Sequence, residues 1–146
     1  MLLRPDPPPS GTARIAGAAD AAVAGSWFSA FSAETGQEDA AEEIVRDRLD
    51  AGQLMLWEVS GEPVSLAGMT DVIAGVARVG PVYTPPGRRG RGYAAGVTAA
   101  VSELALARGA SSVILFTDLA NPTSNSLYRR LGYEPVEDRV VLMIGG

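Results

Sequence analysis

The chain has 146 residues, 47% of them hydrophobic and 20% charged, with a formal net charge of −5. That suits one globular domain with one core, neither disordered nor long enough for two. Cysteine and histidine are both absent, which removes disulfides, thiol nucleophiles, serine–histidine pairs and histidine metal sites together. No apolar run approaches the roughly 20 residues of a membrane span. The proline-rich stretch from Arg4 to Ser10 interrupts any leader-like start, so a cytoplasmic protein without membrane contact is expected. All 12 basic residues are arginine. The acidic balance argues against nucleic acid as a partner and suits a cationic one, such as an amine.

Residues 1–11 read as an extended, poorly ordered arm or linker, and residues 12–146 as a single domain. Thr12 to Gly17 is a short strand candidate. Asp20 is placed to cap a helix in which Val23, Trp27 and Phe31 recur every four residues, with Ala24 and Phe28 beside them on one bulky apolar face. Thr35-Gly36-Gln37-Glu38 has capping-box spacing and is expected to start a second helix ending near Gly52, with Ile44, Val45 and Leu49 as its buried side. Leu54 to Val59, Pro63 to Thr70 and Val76 to Thr84 follow as strands, joined by turns at Ser60-Gly61-Glu62 and Asp71 to Gly75. Pro81 removes a ladder donor from the third of these, which predicts a bulge at Gly80-Pro81. Ala94 to Arg108 is a long helix, with Val97, Val101 and Leu104 as its buried stripe and Gly109 as its stop. Ser112 to Thr117 is a continuous apolar strand, expected to be central and buried on both faces. Asn121-Pro122 opens a short helix that ends at Leu131-Gly132, and Tyr133 to Ile144 supplies one or two strands. The order predicts a mixed α/β fold with helices on both faces of one sheet.

Two stretches carry chemistry. The first is Pro85-Pro86-Gly87-Arg88-Arg89-Gly90-Arg91-Gly92-Tyr93-Ala94, between a strand and a long helix. Glycines let backbone approach a ligand, and the first N–H groups of a helix lack internal acceptors, so such a loop suits a phosphate. On its own it reads equally well as a solvated basic turn. It is not a Walker loop, having no lysine, and it lacks the dinucleotide glycine fingerprint. The second is Asn121-Pro122-Thr123-Ser124-Asn125-Ser126-Leu127-Tyr128-Arg129-Arg130-Leu131-Gly132-Tyr133.

Arg89-Gly90-Arg91-Gly92-Tyr93-Ala94 resembles the Gln/Arg-x-x-Gly-x-Gly/Ala signature of the GNAT N-acetyltransferases. The second stretch resembles the asparagine-to-tyrosine helix of the same family, closed by a Leu-Gly-Tyr turn. The resemblance covers about Arg14 to Ile144. It implies a three-layer αβα acyl-CoA N-acyltransferase fold with a mixed, splayed central sheet. It also implies acetyl-CoA as cosubstrate, no metal, and transfer of the acetyl group to a small-molecule or protein amine by direct attack. Backbone of Gly90, Arg91, Gly92, Tyr93 and Ala94, with Arg89, would hold the pyrophosphate. Val82, Tyr83 and Thr84 would pair with pantetheine, with Asn121 on the same arm and Tyr128 as general acid.

Each residue also has a plainer reading. Asn121 is equally a helix cap before Pro122, Tyr128 a core tyrosine, and Trp27 and Phe31 ordinary core beside an acceptor site. Asn125, one turn after Asn121, is a further candidate for cofactor contact, although the family pattern is apolar there. Glu34 is a candidate partner for a cationic acceptor. Glu34, Glu58, Asp71 and Asp118 are all candidate bases, and none stands out. A non-catalytic acyl-CoA-binding regulatory module is the alternative to an enzyme, and a homodimer is compatible with the sequence.

Overall fold

A computed structural model of the chain describes residues 2–36, 38, 42–116, 122–135 and 141–145. Its frame is one sheet of seven strands: β1 (Thr12–Ile15), β2 (Leu54–Val59), β3 (Glu62–Met69), β4 (Val76–Tyr83), β5 (Ser112–Phe116), β6 (Glu134–Pro135) and β7 (Val141–Gly145). They lie in the order β1-β2-β3-β4-β5-β7-β6. Every described pairing is antiparallel except that of β4 with β5. That parallel pair needs a crossover, and α3 (Tyr93–Ala107) supplies it. The expected mixed sheet with helices on both faces is what the chain forms.

Alternation along the strands sorts side chains between two cores. Met55, Ala67, Met69, Ala77, Val79, Val113 and Leu115 face α3, where Val97, Val101 and Ala105 meet them. Leu54, Leu56 and Leu66 face the other way, under α1 (Ala21–Thr35) and α2 (Glu42–Asp50). Leu131 and Tyr133, which follow α4 (Pro122–Arg130), join the α3-side core.

Several local expectations shift. Of the apolar face expected for α1, Ala24 and Phe28 are buried, together with Ser32, while Val23, Trp27 and Phe31 flank them half-buried. Asp20 makes no capping bond to α1. Its carboxylate instead takes both guanidinium nitrogens of Arg14, at 2.8 and 3.0 Å, and the Gly17 N–H. Those bonds hold the Asp20 carboxyl below the usual carboxylate range. Thr35 ends α1 rather than starting α2, because its hydroxyl donates back to the Phe31 carbonyl and Gly36 turns left-handed behind it. Helix α2, described from Glu42 onward, buries Val45 and Leu49, while Ile44 stays 47% exposed.

The arm before β1 makes definite contacts. Its Leu3 N–H donates to the Leu131 carbonyl at 2.8 Å, and Leu2 packs on the α3-side core. Further along, the Trp57 indole N–H donates to the Ser10 carbonyl at 2.7 Å. Gly96 makes room for this: a β-carbon there would stand 2.9 Å from Pro9 and 3.1 Å from the Trp57 ring.

Candidate active site

The centre of the sheet opens at β4. Pairing of β4 with β5 runs from Val76↔Ser112 to Val79↔Leu115 and stops there, although β4 continues to Tyr83. On its other side β4 stays paired with β3, through Ala67↔Val82 and Leu66↔Tyr83. The register shifts between Ala67 and Met69, opposite Gly80-Pro81, where the proline predicted a bulge. Gly68 permits the close approach, since a β-carbon there would lie 2.9 Å from the Gly80 carbonyl oxygen. Among the described residues, the end of β4 thus keeps one neighbour and loses the other, leaving a strand edge inside the sheet.

Four groups hold the end of that strand. The Ser65 hydroxyl donates to the Tyr83 carbonyl at 3.0 Å and lies 2.7 Å from the Thr84 hydroxyl. The Arg89 Nε donates to the Thr84 carbonyl at 2.8 Å. Tyr83 is buried, with its ring 6.1 Å from Trp27. Burial first, and then the nearby Glu34 carboxylate, raise the Tyr83 hydroxyl above its ordinary pKa. Val82, half-buried, turns to the α3-side core.

The loop beyond is a short 3-10 turn, Pro86–Arg88, followed by Gly90 and Gly92 at φ +80° and +83°. Only glycine takes such angles without strain. They let the chain reverse and enter α3 within three residues. Gly92 is the cap of α3 and offers it no side-chain acceptor. The first backbone bond of the helix runs from Gly96 N–H to Gly92 O at 3.1 Å, so the amides of Tyr93, Ala94 and Ala95 precede any internal partner. Gly90, Arg91 and Gly92 are exposed around this helix start, with Ala94 half-buried and Tyr93 buried.

Arg89 is differently engaged from the phosphate role expected for it. Its guanidinium makes two bonds to Glu34, at 2.7 and 2.9 Å, and so ties the loop to the end of α1. Glu34, expected as a partner for a cationic acceptor, is committed to this pair. Arg88 likewise pairs with Glu62, while Arg91 is exposed at the loop tip.

Tyr128 stands on α4, half-buried, packed edge-on to Tyr133 at 6.3 Å. Desolvation pushes its hydroxyl up to about 12. Its carbonyl closes α4 by accepting from the N–H groups of Leu131 and Tyr133. Tyr133 is anchored in turn through its hydroxyl, 2.6 Å from the Ser102 hydroxyl, which donates to the Thr98 carbonyl. Asn121 and Asp118 lie outside the described residues, and so does the Asn125 side chain.

The sequence matches the family model for the acetyltransferase (GNAT) family over residues 21–133. The chain belongs to that family. Solved GNAT structures share its fold. One is a GNAT acetyltransferase from Brucella melitensis in complex with acetyl-CoA, 21% identical, with a TM-score of 0.70 over 91% of this chain and 86% of that one. Another is yncA from Salmonella typhimurium with its cofactor acetyl-CoA, 16% identical, TM-score 0.72, covering 93% and 94%. A third is Ard1 from Thermoplasma volcanium, 16% identical, TM-score 0.74, covering 93% and 97%. No curated protein matches in sequence. Among the described residues of this GNAT protein, no helix is long and apolar enough to cross a membrane and no acidic cluster could hold a metal ion.

Sequence reasoning passed over two arginines beside the opened strands. Arg48 reaches from α2 to donate to the Met69 carbonyl at 2.7 Å and, at 3.4 Å, to the Gly80 carbonyl in the bulge. Arg78 projects from β4 and stacks its guanidinium 4.7 Å from the centre of the Phe116 ring. The signal was there in part: Arg78 stands between inward-facing Ala77 and Val79, so it had to project from the opposite face of the sheet.

Proposed function

We propose that the protein is an N-acetyltransferase that moves an acetyl group from acetyl-CoA to a primary amine, by direct attack in a ternary complex, as one cytoplasmic domain. One observation carries this reading: a helix start without a capping side chain adjoins a strand edge that, among the described residues, is unpaired toward its neighbour. The amides of Gly90 to Ala94 would hold the pyrophosphate, favoured by the helix dipole. The edge at Val82 to Thr84 would take the pantetheine amides as one more short strand. Asn121 is assigned to that arm on the family pattern. Arg89, held by Glu34 and the Thr84 carbonyl, would keep the loop in place, and Arg91 is the loop arginine left to meet a phosphate oxygen.

When bound, acetyl-CoA supplies an activated acyl carbonyl: the C–N bond forms as the C–S bond breaks. The chain's part is to align the partners, which supplies most of the acceleration. A backbone N–H of Val82 or Tyr83 is placed to meet the developing negative charge on oxygen. Tyr128, with its hydroxyl pushed up to about 12, holds its proton at neutral pH and gives it to the leaving sulfur. The amine's own proton leaves to water or a neighbouring carboxylate.

Calorimetry of the full chain with coenzyme A tests the proposal, followed by acetyl-CoA consumption over a panel of amines. One-to-one binding and amine-dependent turnover are expected. Failure to bind coenzyme A would sink the reading. Binding without turnover on any amine would favour the regulatory acyl-CoA-binding module instead.

A further inference from the structure

The face of the sheet turned away from α3 is covered unevenly. Helices α1 and α2 bury Leu54, Leu56 and Leu66 of β2 and β3. Ile114 on β5 is only half-buried, and Phe116 beyond it is 52% exposed. Phe116 is the first β5 residue past the last β4–β5 pair, Val79↔Leu115, so this bare strip borders the opening between the strands. Arg78, exposed, lies along the strip in register with Ile114 and over the Phe116 ring. Behind it, Arg48 fixes the bulge carbonyls.

Two guanidinium groups therefore crowd one side of the opening. Arg48 is held below its ordinary pKa, first by burial and then by the charge of Arg78. Asp71 faces Arg48 and partly offsets it, but its carboxylate is engaged by the Gln53 amide. No carboxylate among the described residues forms an ion pair with Arg48 or Arg78. A protein with net charge −5 has thus gathered two guanidinium groups on the face of the sheet turned away from α3, beside the opening.

We infer that Arg78 binds an anionic group on the acceptor, and that the amine substrate therefore also carries a carboxylate. This rests on the acetyl-transfer reading above. The planar fork of an arginine matches a carboxylate in two parallel hydrogen bonds. The Phe116 ring fixes the plane of the guanidinium and would cover the acceptor's aliphatic part. Arg48 acts through the field it adds and through the bulge it holds, so it is a positioning residue.

The experiment compares glycine, β-alanine and longer ω-amino acids with their carboxamides as acceptors, at saturating acetyl-CoA. For one chain length the acid should exceed its amide in kcat/KM by about 50-fold, the value of charge-assisted hydrogen bonds. Arg78→Gln should abolish that preference while leaving amide turnover and coenzyme A affinity unchanged, and Arg78→Lys should restore part of it. Amides as good as acids at every length, or an Arg78→Gln variant that slows both alike, would overturn the inference and leave acetyl transfer standing. No turnover of any amine would overturn both.

Discussion

The two faces of β5 are covered very differently. Toward α3, Val113 and Leu115 are sealed beneath Val97, Val101 and Ala105. On the other face, Ile114 and Phe116 are left partly or largely in water. The strand is central in order, yet only one face is sealed, because α1 and α2 spend their apolar surface on β2 and β3. The sealed face fixes the sheet, and the bare one borders the gap between β4 and β5. A strand in the middle of a sheet is therefore evidence of pairing on both edges, but not of cover on both faces.

The sharpest way to break that comparison is a pair of truncations at adjacent residues. Leu115→Ala removes side chain from a filled core and should cost about 3 kcal/mol of stability, within the range for buried leucines. Phe116→Ala removes a larger side chain, but one already half in water, and should cost less than about 1 kcal/mol. Urea denaturation of both variants decides it. Equal losses would mean that the open face is in fact covered.

That asymmetry also explains what the sequence made legible. The apolar run from Ser112 to Thr117 correctly marked a central strand, but Ile114 and Phe116 look as core-like as Leu115, and nothing local says where a helix from residues 21–50 will stop. The bulge was readable because Pro81 has no N–H to give. The loop was readable because Gly90, Gly92 and the arginines occur in one run, and two family signatures lay in order. The partners of Arg89 were not: Glu34 is 55 positions away, and only the folded arrangement brings the end of α1 to the loop. The same holds for Arg48 and the Gly80 carbonyl, separated by 32 positions. Thr35 misled because a threonine that bonds back to residue i−4 inside a helix looks, in sequence, like one that caps the next.

Tyr128 sharpens the comparison from the catalytic side, since it packs against the sealed core while its assigned task lies at the opening. Tyr128→Phe keeps the ring and its contact with Tyr133 and removes only the hydroxyl. If the hydroxyl protonates the leaving sulfur, kcat should fall about 100-fold, roughly 2.7 kcal/mol in the barrier. The acetyl-CoA KM and the urea midpoint should stay close to the parent's. An unchanged kcat across the pH range would leave Tyr128 as packing and remove it from the chemistry.

The smallest effect expected is a titration of the sealed face itself. Burial raises both Tyr128, to about 12, and Tyr133, which is 1% exposed. In the unfolded chain both should ionise near the ordinary value of about 10. Between the two values the unfolded state binds fewer protons, so stability falls as pH rises. It should be fully present below about pH 10 and decline as pH climbs through 12. Tyr133→Phe loses the hydroxyl bonded to Ser102, at a cost of about 1 kcal/mol at neutral pH, because Ser102 keeps its own bond to the Thr98 carbonyl. The same variant should flatten the alkaline decline, having one fewer buried phenol to ionise. Thermal unfolding of parent and variant from pH 8 to 11.5 measures both effects at once. A decline as steep in the variant as in the parent would place the alkaline sensitivity elsewhere, with Tyr83 under α1 as the remaining phenol raised by burial, and would move the titrating group to the other face of the sheet.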